Sequence, residues 1–328
     1  MELKGVYGHD SIKQHLLLAF QQNRVSSAYL FLGQEGIGKS LLVREFAQLI
    51  NCETNNNCGQ CTNCRMFAGG SHPDFEIIKP SGQNIRIKQI QDLIEKLSLK
   101  PSYATKRVIL LKQTHLFNQE SANSFLKILE EPPLDTLIIL SATDENLLIE
   151  TIVSRCQKIH FPLLTKTELR TILGEKFRLG HQDTEFVLNY AQGRIRKDFI
   201  TDCTVLHNIR AQVFNMLLNL RNEQMVQYME MIAQWVTKDH HLYFLEFCAT
   251  WLRDFVFMKN QQIERVANQD MLNELKAVEI TQTEEQLQWS FDLTIETELA
   301  IKANAAKQLA LEALLIQIKQ VFAGALVI

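Results

Sequence analysis

A parallel α/β domain followed by an all-helical remainder is the fold class that this sequence predicts, and three observations predict it. Short apolar runs alternate with amphipathic stretches as far as Pro162. The segment GQEGIGKS (33–40) directly follows the first of those runs. From about Asp202 onward there is no proline, and long stretches keep helical spacing. With 328 residues, 46% hydrophobic and 22% charged, the chain has the composition of a globular protein of two or three domains. A net charge of −3 means that contact with nucleic acid must come from a local basic patch, which excludes a histone-like binder. The N-terminus lacks the layout of a signal peptide and no apolar run approaches bilayer-spanning length, so the chain reads as cytoplasmic, with no membrane contact.

The elements follow in order. AYLFL (28–32), FEIIK (75–79), RVILL (107–111) and TLIIL (136–140) each fit a buried strand of four or five residues. After GQEGIGKS, residues Leu42, Phe46, Leu49 and Ile50 fall on one helical face. Ala122, Phe125, Leu126 and Leu129 do the same before Pro132 and Pro133 end that helix. Strands alternating with helices imply a mainly parallel sheet covered on both faces. Past Pro162, TKTELRTILGEKF and DTEFVLNYAQG predict two short helices, the second closed by Gly193. HLYFLEFCATWLRDFVFMK and AIKANAAKQLALEALLIQIKQVF predict long helices in the C-terminal part.

Three motifs carry chemistry. Gly33-Gln34-Glu35-Gly36-Ile37-Gly38-Lys39-Ser40 matches the phosphate-loop pattern in full and sits between a predicted strand and a predicted helix, as its mechanism requires. Its glycines let backbone N–H groups wrap phosphates, Lys39 would reach the β- and γ-phosphates and Ser40 would hold Mg²⁺. The alternative is a glycine-rich turn without a ligand. Cys52, Cys58, Cys61 and Cys64, four of the seven cysteines, offer the closed tetrahedral set of a structural zinc site. A reducing compartment would not maintain a disulfide framework. The spacing differs from ferredoxin-type clusters, and unliganded thiols are the remaining alternative. Cys203 and Cys248 lie in helical stretches and read as buried small hydrophobes. Ser154-Arg155-Cys156 follows the fourth predicted strand. Arg155 is either an ordinary surface arginine or a guanidinium that points outward and stabilises phosphate charge on a neighbour's nucleotide.

The order of phosphate loop, four-cysteine insertion, SHPDF (71–75), SANSFLKILEEPP (121–133), SATDE (141–145) and SRC (154–156) resembles the bacterial clamp-loader ATPases of the AAA+ family. The match is strong over roughly residues 1–162. The resemblance implies a P-loop domain over 1–162 with a zinc module at 52–64, a small helical lid over 163–205 and a helical collar over 206–328. It implies that Arg155 serves as an arginine finger in trans, that Thr143 is a first-sensor residue and that Arg196 is a second-sensor residue. Gly8 and His9 would lie against the adenine. Arg194 and Lys197 stand close to Arg196, and a solvated basic turn is the alternative there. The implied partners are the motor (gamma/tau) and delta subunits, the sliding clamp and primed DNA. The implied cofactors are structural zinc and ATP or ADP with Mg²⁺. Phosphate contacts to DNA would involve short helices such as IRIKQIQDLIEKLSLK, with Arg86, Lys88, Lys96 and Lys100, although those four equally fit a solvated face.

One departure decides the expected role. Motor subunits of the family carry Asp-Glu after the third strand, where this chain has Lys112 and Gln113. A lysine can neither ligate Mg²⁺ nor take a proton while charged. Gln113 would at most orient a water, and Glu120, Glu130 and Asp144 are the neighbouring carboxylates left as substitutes. The chain therefore reads as a subunit whose own hydrolysis is lost and which assists a motor neighbour. The other reading is a self-sufficient P-loop ATPase that remodels nucleic acid or protein, and a third is a zinc-stabilised adaptor with a vestigial loop.

Overall fold

The computed structural model describes residues 2–3, 5–82, 84–220 and 225–324. The chain divides into two compact units, one of residues 1–176 with 192–195 and the other of residues 177–191 with 196–328. The segment 163–205, expected as a lid, is shared between them: the helix Lys166–Glu175 belongs to the first and the helices His181–Ala191 and Lys197–Thr201 to the second.

The first unit is built on five parallel strands, β1 (Ala28–Leu32), β2 (Phe75–Ile78), β3 (Arg107–Leu111), β4 (Thr136–Ala142) and β5 (Gln157–His160), in the order β2-β3-β4-β1-β5. The runs are continuously apolar because both faces are covered. Tyr29, Phe31, Val108, Leu110, Leu137 and Ile139 face a core shared with Leu42, Phe46 and Leu49. The alternate residues Leu30, Leu32, Ile109, Leu111, Ile138 and Leu140 face a second core with Leu93, Ala122, Phe125 and Ile152. Period-two alternation within each strand makes this division.

Two strands depart from expectation, and both are edges. FEIIK is half-exposed rather than buried, with Ile77 39% exposed. QKIH, which the apolar-run criterion passes over, forms β5. It pairs with β1 on one side only, and of its four residues Ile159 alone is buried. An edge strand needs only one apolar residue in two, so its pattern is weaker than that of a central strand.

Asp74 ties the sheet to the loop that precedes β3. Its fully buried carboxylate accepts from the backbone N–H groups of Ser102, Tyr103 and Ala104 at 2.8–3.0 Å and from Arg107 Nη2 at 3.2 Å. The SHPDF motif therefore has a structural use here. His72 Nε2 lies 3.0 Å from Asn63 Oδ1, and its ring stacks on Phe67.

The second unit is helical among the described residues. The helix His241–Lys259 is apolar around most of its circumference, with Phe244, Phe247, Trp251, Leu252 and Phe255 buried, as expected for a central helix. The Trp251 indole donates to the Arg210 carbonyl at 3.1 Å. Cys203 and Cys248 are buried. AIKANAAKQLALEALLIQIKQVF is interrupted: the helix Glu284–Lys302 stops before Lys307–Phe322 begins. Asn304 sits at φ 73°, and the N–H groups of Asn304 and Ala305 close back onto the carbonyls of Ile301 and Ala300. This is a Schellman stop with Asn in the left-handed position that glycine usually takes.

Burial raises the pKa of Asp74, but the three backbone N–H groups and Arg107 outweigh it, so the carboxyl titrates below its ordinary range. A folded-state pKa below the unfolded one contributes stability that is present above about pH 4 and is lost as pH falls through the folded value. Asp74→Ala is expected to destabilise the protein by about 3 kcal/mol at neutral pH, because it leaves three N–H groups without their acceptor and Arg107 without its charged partner. Urea unfolding at pH 7 and at pH 3 checks this. The difference between wild type and variant should be smaller at the lower pH.

Candidate nucleotide site and cysteine cluster

The order β2-β3-β4-β1-β5 places the carboxyl ends of β3, β4 and β1 side by side. In open α/β sheets ligands bind at such an edge. The phosphate loop leaves β1 there. The Gly33 N–H donates to the Ala142 carbonyl at 3.1 Å, so Thr143, the next residue of the β4 chain, stands beside the start of the loop. Gly38 caps the helix Lys39–Asn51 at φ 100°. The first N–H groups of that helix have no intrahelical acceptor and supply the anion-binding end.

Gly36, at φ 79°, makes a close approach that no other residue would allow. A Cβ there would meet the Ile195 carbonyl oxygen at 2.7 Å, and the Ile195 N–H donates to the Gly36 carbonyl at 2.9 Å. Ile195 is thus a loop neighbour that motif reading passed over, since its contact uses only backbone atoms. On another side, Ile37 is buried and its carbonyl lies 2.7 Å from His9 Nε2, while the His9 ring packs edge-on to Phe161. His9 therefore braces the loop.

Lys39 curls over its own loop, donating to the carbonyls of Gly33 at 2.5 Å and Gln34 at 2.7 Å. Burial draws its pKa down to about 8; Glu35 opposes the shift and Lys112 adds to it. Lys112 extends β3, its N–H donating to the Ile78 carbonyl at 2.9 Å. Gln113 follows at φ 52°, and its amide donates to Glu35 Oε1 at 2.5 Å. The two positions after β3 thus hold one ammonium whose charge acts on Lys39 and one amide joined to the loop. Glu35 is a second participant that the motif, which treats that position as variable, does not single out.

Ser154 and Arg155 end the short helix Glu150–Val153. The Arg155 guanidinium donates to the Thr151 carbonyl at 3.0 Å and to Glu130 Oε1 at 2.7 Å, with both side chains partly exposed. Glu130, one of the carboxylates considered for the hydrolytic site, is therefore joined to Arg155. Arg196 belongs to the second unit, where it donates to Glu246 at 2.6 Å and to Asp198 at 2.8 Å and lies over the Phe199 ring. Phosphate sensing by those two guanidinium nitrogens would require their release from two carboxylates. Arg86, Lys88, Lys96 and Lys100 are all exposed, with Lys96 paired to Glu76 at 2.6 Å.

The sulfur atoms of Cys52, Cys58, Cys61 and Cys64 all lie within 4.8 Å of one another. Cys58 and Cys64 are 3.9 Å apart, close to the ~3.8 Å edge of a tetrahedron of thiolates about zinc. The N–H groups of Cys58, Cys61 and Cys64 each point at the sulfur of the preceding cysteine of the set, at 3.4 Å. Burial raises the thiol of Cys52, yet these and neighbouring donors hold it low, at about 5, whereas burial pushes Cys64 up to about 12. Four thiolates share this space only around a cation, so the donor set fits zinc. A second grouping, Asp183, Cys203 and His207, is closed by its own hydrogen bonds. There the Arg210 guanidinium, 3.4 Å from His207 Nδ1, opposes a cation.

Residues 8–165 match the family model described as DNA polymerase III, delta subunit. Over this segment, somewhat under half of the chain, the sequence is similar to that family. It is 24% identical to the delta' subunit of Bacillus subtilis over 308 residues, covering 92% of this chain and 93% of that one. It is 35% identical to the delta' subunit of Pseudomonas aeruginosa over 141 residues, 42% and 43% of the two chains. The tau/gamma subunit of Haemophilus influenzae is 30% identical over 224 residues, 66% of this chain and 32% of that subunit. The chain spans about a third or less of the length of the tau-type relatives it matches. A gamma subunit-related protein of Thermotoga maritima aligns with a TM-score of 0.50 at 19% identity over 94% of this chain and 99% of its own, a likeness of fold.

Metal analysis of the purified protein is expected to find about one zinc per chain. Cys61→Ser should lower that content and the thermal midpoint together, because the loop 52–64 has few apolar residues with which to fold alone. A metal-free protein with an unchanged midpoint would contradict the assignment.

Proposed function

We propose that this chain is a clamp-loader subunit of the delta-prime type, one that does not fire its own nucleotide site and that presents Arg155 to the site of a neighbouring motor subunit. The observation that carries the reading is the combination at the carboxyl edge of the sheet. A complete phosphate loop stands beside Lys112 and Gln113, where a hydrolytic site needs a Mg²⁺-ordering Asp and a water-polarising Glu. Hydrolysis by this chain alone has no general base to draw on at that position. Glu130 and Asp144 are engaged by Arg155 and by Asn146, Glu145 pairs with Lys158, and Glu120 is exposed in the first turn of the helix Gln119–Glu130. A self-sufficient ATPase is therefore not favoured.

On this reading Lys39, Ser40 and the N–H groups of the loop, with Thr143 beside them, hold a nucleotide as a structural ligand. Residues 1–162 form the P-loop domain, 163–205 the lid and 206–328 a collar that packs with neighbouring subunits. Arg155, half-exposed and steadied by Glu130, completes a motor subunit's site, where its guanidinium stabilises charge on the transferring phosphoryl group. The partners would be motor (gamma/tau) and delta subunits, the sliding clamp and primed DNA reached through the complex, all in the bacterial cytoplasm. The cysteine cluster would hold zinc that supports the loop and takes no part in chemistry. No helix among the described residues is long and apolar enough to cross a membrane.

Two measurements test the proposal. The isolated chain is expected to bind ATP or ADP without turnover, and hydrolysis by the isolated chain would overturn the non-firing role. In an assembly reconstituted with motor subunits, Arg155→Ala should lower clamp-stimulated hydrolysis by about 10³ at the site it serves, with assembly retained; unchanged hydrolysis would remove the finger. The Lys39 ammonium adds a pH signature. A bound polyphosphate favours its charged form, so affinity should hold steady below the empty-site value of about 8 and decline as the pH rises above it. Titrations of fluorescent nucleotide between pH 6.5 and about 9.5 read this out.

A further inference from the structure

The proposed nucleotide site is poor in the ligands that a divalent cation requires. Mg²⁺ is ordinarily held at such a loop by the Ser or Thr hydroxyl, one or two carboxylates, water and the phosphates themselves. Ser40 supplies the hydroxyl, but the carboxylate position at the end of β3 is Lys112. The other carboxylates near this edge are turned to different tasks. Glu35 Oε1 accepts the Gln113 amide at 2.5 Å, Asp144 Oδ1 accepts from the Asn146 backbone and side chain at 3.0 Å, and Glu145 pairs with Lys158 at 2.6 Å. Exchanging Asp for Lys alters the local charge by two units in the direction that repels a metal ion and attracts a polyanion. Mg²⁺ therefore does not fit this donor set as it fits a motor site.

We infer that the phosphate loop of this chain takes a nucleoside polyphosphate without a divalent cation, the ammonium groups of Lys39 and Lys112 supplying the positive charge that Mg²⁺ supplies elsewhere. The inference rests on the nucleotide reading above and adds its ionic form. It stands on three structural facts: Lys112 extends the strand two places from β1 in the sheet, the next residue touches the loop through Glu35, and Lys39 is satisfied by the Gly33 and Gln34 carbonyls. The mutual effect of the two lysines on the Lys39 proton agrees with that placement. A metal-free nucleotide is also a poor substrate for phosphoryl transfer, so the same exchange that removes the acid would keep the ligand intact.

The test is titration of the full-length protein with a fluorescent ADP or ATP analogue. One buffer is stripped of divalent ions by a chelating resin, which leaves protein-bound zinc in place, and the other is the same buffer with millimolar Mg²⁺. The two dissociation constants should agree within about threefold. An affinity at least tenfold higher with Mg²⁺, roughly 1.4 kcal/mol, would overturn the inference while keeping the nucleotide site. Absence of binding in both buffers would overturn the site itself. Lys112→Asp should make binding depend on Mg²⁺ by about tenfold or more, and a folded variant still indifferent to Mg²⁺ would remove Lys112 from the account. The wild-type comparison decides the matter should that variant not fold.

Discussion

β1 is hydrogen-bonded on both sides, to β4 and to β5, and the rest of the candidate site depends on that double pairing. It holds the carboxyl end of the strand between the end of β4 and the edge strand, so the loop 33–40 begins from a fixed point. The Gly33 N–H continues the ladder onto Ala142, which sets Thr143 at the loop's flank. β3 lies on the far side of β4, and its end delivers Lys112 and Gln113 to the same edge. Because both faces of the sheet are buried, a shift of one strand by one residue would turn its side chains into the wrong core. The register is therefore strongly specified, and with it the spacing of the site residues.

Around this rigid edge the polar groups are largely used up by the protein itself. Lys39 is occupied with loop carbonyls, Gln113 with Glu35 and Arg155 with Glu130; within the second unit, Arg196 is held by Asp198 and Glu246. The Arg155–Glu130 pair is more open to solvent than the two pairs of Arg196, and the difference matters. The Arg155–Glu130 pair is open to solvent, where an ion pair contributes about 0–1 kcal/mol, so little holds the two together. Arg196 is more enclosed, and leaving two carboxylates would cost it more. Arg155 is thus the more weakly held of the two guanidinium groups.

The cysteine cluster and the helical unit illustrate two ways to order a chain. The loop 52–64 is short of apolar side chains and relies on the convergence of four sulfur atoms. The second unit relies on area: the central helix His241–Lys259 buries aromatic residues on several sides, and the Trp251 indole donates to the Arg210 carbonyl.

The sequence by itself determined the phosphate loop, the four-cysteine set, the central strands and most of the helices. Those features are written in local spacing: GQEGIGKS between an apolar run and an amphipathic stretch, four cysteines within thirteen residues, RVILL and TLIIL as unbroken apolar runs. It also set Lys112 and Gln113 directly after the third strand, where the resemblance to motor subunits implies an acidic pair. Edges were less legible, because β2 and β5 bury one face only in part, and so was the helix stop at Asn304, where backbone conformation replaced the usual glycine. Only the tertiary structure decided which side chains meet. The contacts of Glu35 with Gln113, Glu130 with Arg155, Glu246 with Arg196 and Ile195 with Gly36 join residues 25 to 159 positions apart. No local pattern encodes such pairs; they follow from strand order and from where each helix returns the chain to the sheet.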